Sequence, residues 1–169
     1  MKRLAGLAAA LLAATALGAD APTPLDKARV LPLALDDDFA FRKTEVFLND
    51  PQYLKPTSDP MLNCERQRLN FKAVTAVDKD QRHGHYFTFF WRVARPVEEV
   101  TVRLEYRQEN LGSFVQAREV AYEHAKGSMK TKFEIVGDDF HEDGRITAWR
   151  ALLIENHKIV GLTQSYLWN

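Results

Sequence analysis

The chain contains a single cysteine, Cys64, among its 169 residues. One cysteine excludes an intrachain disulfide, so packing and hydrogen bonds alone must hold the fold, even in an oxidising compartment. No sequence neighbour obviously activates this thiol. We therefore expect Cys64 to be a buried, small apolar side chain rather than a reactive one.

An excess of charge of either sign is also missing, because 23 Lys and Arg residues balance 23 Asp and Glu residues. Such a chain lacks the basic surface that binds nucleic acid or anionic lipid. Phosphate-binding loops, dinucleotide-binding fingerprints and the G-x-S-x-G context of a catalytic serine are absent too. These absences favour a binding protein over an enzyme and exclude nucleic acid as the expected partner.

No apolar run reaches the roughly 20 residues that a membrane-spanning helix needs. The longest, Leu4 to Leu17, follows Lys2 and Arg3 and is followed by small residues around Gly18 and Ala19. This is the pattern of a secretory signal peptide, residues 1–19. The sequence therefore predicts a periplasmic or secreted protein with no transmembrane span in the mature chain.

Alternation of apolar and polar residues is abundant, and it indicates β-strands. The clearest case is residues 100–107, where Val100, Val102, Leu104 and Tyr106 are expected to face the core and Thr101, Arg103, Glu105 and Arg107 to face water. Residues 85–94 and 129–136 show related patterns, and residues 145–154 and 158–168 are two long apolar segments that are expected to form a tight hairpin. Residues 68–77 are expected to form a hairpin with residues 85–94, placing Leu69, Phe71, Ala73 and Val77 on one side.

Seven or eight short strands without βαβ alternation predict an all-β fold, an antiparallel β-sandwich with an extended N-terminal segment. We expect the signal peptide to be followed by an extended segment and connector, residues 20–60, and a sandwich domain, residues 61–169. Two stretches are ambiguous between helix and strand. Residues 36–50 are left open, and residues 113–126 are assigned to a strand.

The segment "EDGRITAW" resembles the turn and strand that close an immunoglobulin-like domain, and Trp91 lies on a middle strand, where such domains often carry a core tryptophan. The resemblance spans about Arg68 to Trp168. Paired cysteines are absent, and Ile146 stands where that family often has tyrosine, so a fibronectin type III-like variant is the nearer comparison. The resemblance implies binding, adhesion or assembly without choosing among them.

The segment "GDDFHEDG", residues 137–144, is the densest group of candidate ligands. Asp138, Asp139, His141 and Asp143, with Glu142, could supply ligands for calcium, but their spacing differs from that of a calcium-binding loop. The simpler interpretation is a solvated turn between two strands. A transition metal would require a second histidine, and the "HGH" segment with His83 and His85 is the nearest source.

Three functions therefore stay open at this point. The first is a binding, assembly or structural module of the cell envelope, with a protein or glycan partner and no resident cofactor. The second is a carbohydrate-binding module, which needs exposed aromatic side chains on one face; the candidates are Tyr86, Phe90, Tyr106, Tyr122, Trp149, Tyr166 and Trp168. The third is a small metal-dependent enzyme that uses the His83/His85 and Asp138/His141 loops, which must then meet in space.

Overall fold

The computed structural model describes residues 22–25, 29–52 and 57–168, so the predicted signal peptide lies outside the described residues. The described chain forms eight strands in two antiparallel sheets, together with three short helices. This confirms the all-β prediction, and the arrangement is compatible with a β-sandwich. Within the described ranges, no helix has the length and apolar character to cross a membrane.

The five-stranded sheet has the strand order β1-β5-β4-β7-β8. Its members are β1 (Thr23–Leu25), β4 (Glu99–Gln108), β5 (Gln116–Glu123), β7 (Ile146–Glu155) and β8 (Lys158–Gln164). The three-stranded sheet has the order β2-β3-β6. Its members are β2 (Phe39–Asn49), β3 (Gly84–Val93) and β6 (Gly127–Val136).

Helices occupy the connections rather than the core. They are α1 (Pro60–Leu69), α2 (Ala76–Asp80) and α3 (Asp138–Asp143), with a 3₁₀ turn at Glu109–Leu111. The first two helices lie between β2 and β3, and α3 joins β6 to β7. The segment "GDDFHEDG" therefore connects two strands, as its sequence predicts, but most of it is helical and the side chain of Phe140 is buried.

The core lies between the two sheets, where the alternating apolar positions of both meet. Large side chains with almost no exposed surface fill it, among them Phe87, Phe89, Trp91, Leu104, Tyr106, Phe133, Ile135 and Leu153. Burial of each such side chain contributes about 1.5–3 kcal/mol. The core position expected for Trp91 is confirmed, since 1% of its surface is exposed.

Hydrogen bonds between the sheets close one side of the molecule. The Arg118 guanidinium on β5 donates to the Glu134 carbonyl on β6 at 2.8 Å, and the Tyr122 hydroxyl donates to the Lys130 carbonyl at 3.3 Å. These side chains use backbone acceptors along the unpaired edge of β6. They therefore reduce the hydrogen-bonding capacity that this edge strand offers to another chain.

An N-terminal strap, residues 29–36, closes the opposite side. Its backbone pairs with β8, where the Ala34 N–H donates to the Ile159 carbonyl at 2.9 Å and the Asp36 N–H donates to the Val160 carbonyl at 3.0 Å. Leu31 on this strap packs against Leu152, Ile154 and Ile159. The strap therefore covers part of the outer face of the five-stranded sheet.

The prediction that residues 68–77 form a hairpin with residues 85–94 is wrong. Residues 68–77 form the end of α1, a turn and the start of α2. Phe71 and Val77 are 67% and 69% exposed, so their alternation does not mark a buried face.

The strand that pairs with β3 in place of residues 68–77 is β2, which runs antiparallel to it from Phe39 opposite Val93 to Asn49 opposite Gly84. Residues 39–49, ambiguous in the sequence, are therefore a full sheet strand.

Three side chains are buried or exposed against expectation. Arg103 and Glu105, expected in water, are 7% and 3% exposed, because the N-terminal strap covers their face and each forms ion pairs there. Cys64, expected in the core, is exposed on α1. The strand expected within residues 113–126 is confirmed as β5.

Candidate functional site

A five-residue helix, α2, carries the first ligand of the candidate site. Thr75 begins this helix with a capping box: its hydroxyl accepts a hydrogen bond from the Asp78 N–H at 3.0 Å, and the Asp78 carboxylate accepts one from the Thr75 N–H at 2.9 Å. This reciprocal pair satisfies backbone donors that a helix N-terminus otherwise leaves unpaired. The helix ends at Asp80, three residues before His83.

The connection between β6 and α3 approaches α2 closely. The Gly137 N–H donates to the His83 carbonyl at 3.0 Å, and the Gln81 side-chain amide donates to the Asp138 carboxylate at 3.1 Å. Gly137 has φ +65°, and a Cβ there would lie 2.5 Å from the Gln81 amide oxygen. A glycine thus permits the approach that brings α3 beside the end of α2.

The two connections place Asp80, His83 and His141 in one cluster. One potential ligand atom from each residue lies within 4.8 Å of the other two. The His83 Nδ1 atom is 3.3 Å from one Asp80 carboxylate oxygen, and the His141 Nε2 atom is 3.3 Å from the other. His141 Nε2 also lies 3.1 Å from the Asp80 carbonyl oxygen. Residues 61 positions apart in the chain thereby converge.

These distances suit a divalent transition-metal ion. Zinc binds imidazole nitrogen and carboxylate oxygen at about 2.1 Å in tetrahedral geometry, which places neighbouring ligand atoms about 3.4 Å apart. Each histidine nitrogen lies at a distance close to that value from one oxygen of Asp80, a different oxygen in each case, and the three ligand atoms together lie within 4.8 Å. Calcium prefers six to eight oxygen ligands, and this cluster offers nitrogen from two of its three residues. The donor set therefore favours zinc over calcium.

The cluster opens onto a surface cleft of about 410 Å³. Asp50, Phe140 and Arg145 contribute to the other walls of this cleft. The side chain of His83 is 19% exposed, whereas those of His141 and Asp80 are 36% and 56% exposed. An ion held by the three side chains would therefore keep coordination positions that face solvent.

An ion pair lies across the cleft from the histidines. The Arg145 guanidinium donates to the Glu109 carboxylate at 2.7 Å, and this hydrogen bond holds the pKa of Glu109 below its usual range. Glu109 is therefore ionised at neutral pH. Together with Asp50 and Asp80, it gives the cleft three carboxylates against one guanidinium, a balance that attracts cations.

His85 does not join the cluster, although the sequence pairs it with His83. It lies within β3, two residues beyond His83, and is only 8% exposed. Its Nε2 atom accepts a hydrogen bond from the Ile146 N–H at 3.2 Å. Burial, followed by the charge of Arg145, lowers the pKa of His85 to about 4. His85 is therefore a neutral core histidine at physiological pH.

The acidic candidates of the 137–144 segment do not converge with one another. Asp138 accepts from Gln81, Asp139 pairs with Arg118, and the Asp143 carboxylate accepts from the Gln116 amide at 2.8 Å. Each carboxylate serves a different neighbour, so the oxygen ligands that calcium requires are not gathered there. Only His141 of the four metal candidates is part of the three-residue cluster.

Asp80 is the ligand that the sequence analysis missed. It lies in the segment "DKDQRHG", residues 78–84, between the two stretches expected to pair as a hairpin. The signal is its spacing: residues three apart at a helix end lie on one side, so Asp80 and His83 form a D-x-x-H pair. The proximity of His141, by contrast, depends on the tertiary structure.

The aromatic candidates divide between the core and the surface. Tyr106, Tyr122 and Trp168 are buried, and Trp149 packs against the core. Tyr86 and Phe90 are half-buried and line a second cleft, on the outside of the three-stranded sheet, whereas Tyr166 is 93% exposed.

Comparison with known proteins gives no match: no protein-family model, curated protein or solved structure matches this chain.

Proposed function

We propose that this protein is an exported binding protein of the cell envelope that holds a divalent transition-metal ion, zinc by preference, through Asp80, His83 and His141. The observation that carries the proposal is the convergence of three ligand atoms within 4.8 Å from two separate connections. Export is supported by the signal-peptide pattern of residues 1–19. The immunoglobulin-like relationship stays a prediction from the sequence.

The local structure supports a preformed site. The capping box of α2 and the hydrogen bonds of Gly137 and Gln81 fix the two connections against each other without an ion. An ion would replace the contacts of the two imidazoles with the Asp80 carboxylate and the contact of His141 with the Asp80 carbonyl oxygen. Structural zinc sites normally have four protein ligands, so three ligands beside a cleft leave a position for water or for a further ligand.

Thermal unfolding of the mature protein with chelator, with zinc and with calcium tests this function. An ion that binds the folded state alone stabilises it by about 2.7 kcal/mol at one hundred times its Kd. For a chain of this size, that corresponds to a rise in Tm of roughly 5–10 °C. We expect zinc to give such a rise with one ion bound per chain, and calcium to give none.

Variants assign the effect to the cluster. Asp80→Asn and His141→Ala should abolish the zinc-dependent rise while leaving the chelator-treated protein folded. His157→Asn is the matched control, because His157 lies in the tight turn between β7 and β8 at φ +59°, where asparagine is well tolerated. The proposal is wrong if zinc still raises the Tm of His141→Ala, or if zinc does not raise the Tm of the parent protein. The cluster would then be only a polar contact between two helices.

A further inference from the structure

The outer face of the three-stranded sheet carries an ordered grid of side chains. The strand register places three rows across β2, β3 and β6. These rows are Lys43–Phe90–Lys130, Glu45–Thr88–Lys132 and Phe47–Tyr86–Glu134. One end of the face therefore carries two lysines beside Phe90, and the other end carries two aromatic rings and the Glu134 carboxylate. The two ends lie four residues apart along β3, about 13 Å.

Helix α1 lies over this face, and an open cleft separates the helix from the sheet. Met61, Leu62 and Leu69 line the cleft from the side of the helix, opposite a floor that includes Phe47, Tyr86 and Phe90. The cleft has a volume of about 690 Å³, within the range of small-molecule sites. The Arg82 guanidinium donates to the Leu69 carbonyl at 2.7 Å and so anchors the C-terminal end of α1.

Among the charged residues that line the cleft, two lysines, Lys130 and Lys132, and one carboxylate, Glu134, form no salt bridge in the described part of the chain. Lys43 pairs with Glu45 at 2.5 Å, and Arg68 pairs with Glu65. Lys132 lies between Lys130 and Glu134 on this face of β6, so the Glu134 carboxylate offsets the charge of Lys132 more closely than that of Lys130. In the described part of the chain, Lys130 has no carboxylate within salt-bridge distance. Lys130 pairs with Phe90 in the strand register. It therefore lies at the end of the cleft that is farther from Tyr86 and Phe47.

We infer that this cleft binds an amphiphilic carboxylate, a molecule with an apolar chain of about ten carbons and one acidic group. The chain would lie between the aliphatic side chains of α1 and the floor, and the carboxylate would pair with Lys130. Aliphatic side chains on α1 favour an alkyl chain over a sugar, which needs polar groups to bind its hydroxyls. This inference does not depend on the metal site.

Calorimetric titration of the mature protein with decanoate and with decanol tests the inference. The two probes share the chain and differ in the acidic group. We expect decanoate to bind one site with a Kd on the order of tens of micromolar. Decanol should bind about fivefold more weakly, because it lacks the charge that pairs with Lys130.

Two variants make the test specific. Lys130→Ala should weaken decanoate about fivefold and leave decanol unchanged, and Lys158→Ala, at an exposed lysine of β8, should change neither. Thr88→Trp, which places an indole between Tyr86 and Phe90, should block both probes. Absence of decanoate binding at 1 mM, equal binding of the two probes, or unchanged decanoate binding in Lys130→Ala would each overturn the inference. Zinc binding is expected to be the same in all of these variants.

Discussion

At the scale of single residues, buried polar groups depend on specific partners. Thr131 is 1% exposed, and its hydroxyl accepts a hydrogen bond from the Trp91 indole N–H at 2.9 Å. The Tyr122 hydroxyl lies 2.7 Å from the same oxygen. One small side chain thus joins two large aromatic residues across the core. An indole N–H that is buried without an acceptor costs about 1–3 kcal/mol.

Thr131→Val preserves the shape of this side chain and removes the acceptor. We expect the free energy of unfolding, measured by urea denaturation, to fall by about 1–3 kcal/mol, since the Trp91 N–H is left unpaired. Thr88→Val, the same substitution on the outer face of the neighbouring strand, should change it by no more than about 0.5 kcal/mol. Equal losses in the two variants would show that the hydrogen bond contributes nothing beyond strand propensity.

At the scale of elements, α2 is held by its cap rather than by packing. It has five residues and none of them is buried. A helix this short is unstable by itself, since isolated helices need about 12–15 residues to be even marginally stable in water. The position of Asp80 at its C-terminal end therefore depends on the hydrogen bonds that Thr75 and Asp78 make at its start.

Thr75→Ala should accordingly weaken zinc binding with little effect on global stability. Loss of an N-cap costs about 1 kcal/mol of local helix stability, which corresponds to a Kd about fivefold higher. Asp59→Ala is the matched control, because Asp59 caps α1 through the Met61 N–H at 2.9 Å and α1 carries no proposed ligand. Zinc affinity is measured by competition with a chromophoric chelator. An equal loss in both variants would contradict the role assigned to α2.

At the scale of the whole molecule, a row of charges links the outer face of the five-stranded sheet to the N-terminal strap, and its two central members, Arg103 and Glu105, are buried. Glu119, Arg103, Glu105 and Arg150 form consecutive ion pairs across β5, β4 and β7, at 2.5, 3.5 and 2.6 Å. The Arg103 guanidinium also donates to the Arg29 carbonyl of the strap at 2.9 Å. The strap covers Arg103 and Glu105, so these two charges depend on their neighbours for compensation, whereas the side chains of Glu119 and Arg150 are 23% and 37% exposed.

Glu105→Gln should therefore be strongly destabilising. It removes the carboxylate between two guanidinium groups. Breaking a buried ion pair costs about 3–5 kcal/mol, and we expect a loss at the lower end of that range because Arg103 keeps its pair with Glu119 and Arg150 is partly exposed. Glu99→Gln, at the exposed start of the same strand, should cost no more than about 0.5 kcal/mol. Both values come from urea unfolding at pH 7. A small effect of Glu105→Gln would show that water screens the row and that the strap opens readily.

The sequence by itself determined most of the strands and their connections. Residues 84–93, 99–108 and 127–136 are strands where alternation predicted them, because a strand presents successive side chains to opposite faces and one of those faces is buried. Residues 146–155 and 158–164 are strands where two long apolar segments predicted them. Alternation failed at residues 68–77, whose apolar side chains are largely exposed. The local sequence pattern does not show whether another part of the chain packs on the apolar face of a segment.

Only the tertiary structure decided three features of the molecule. It paired β2 with β3, which built the floor of the cleft under α1; it buried Arg103 and Glu105 under the strap; and it brought His141 to Asp80 and His83. Each feature depends on contacts between residues far apart in the chain. Periodicity reports the local direction of a side chain, whereas contacts of this kind are set by how the two sheets and their connections pack together.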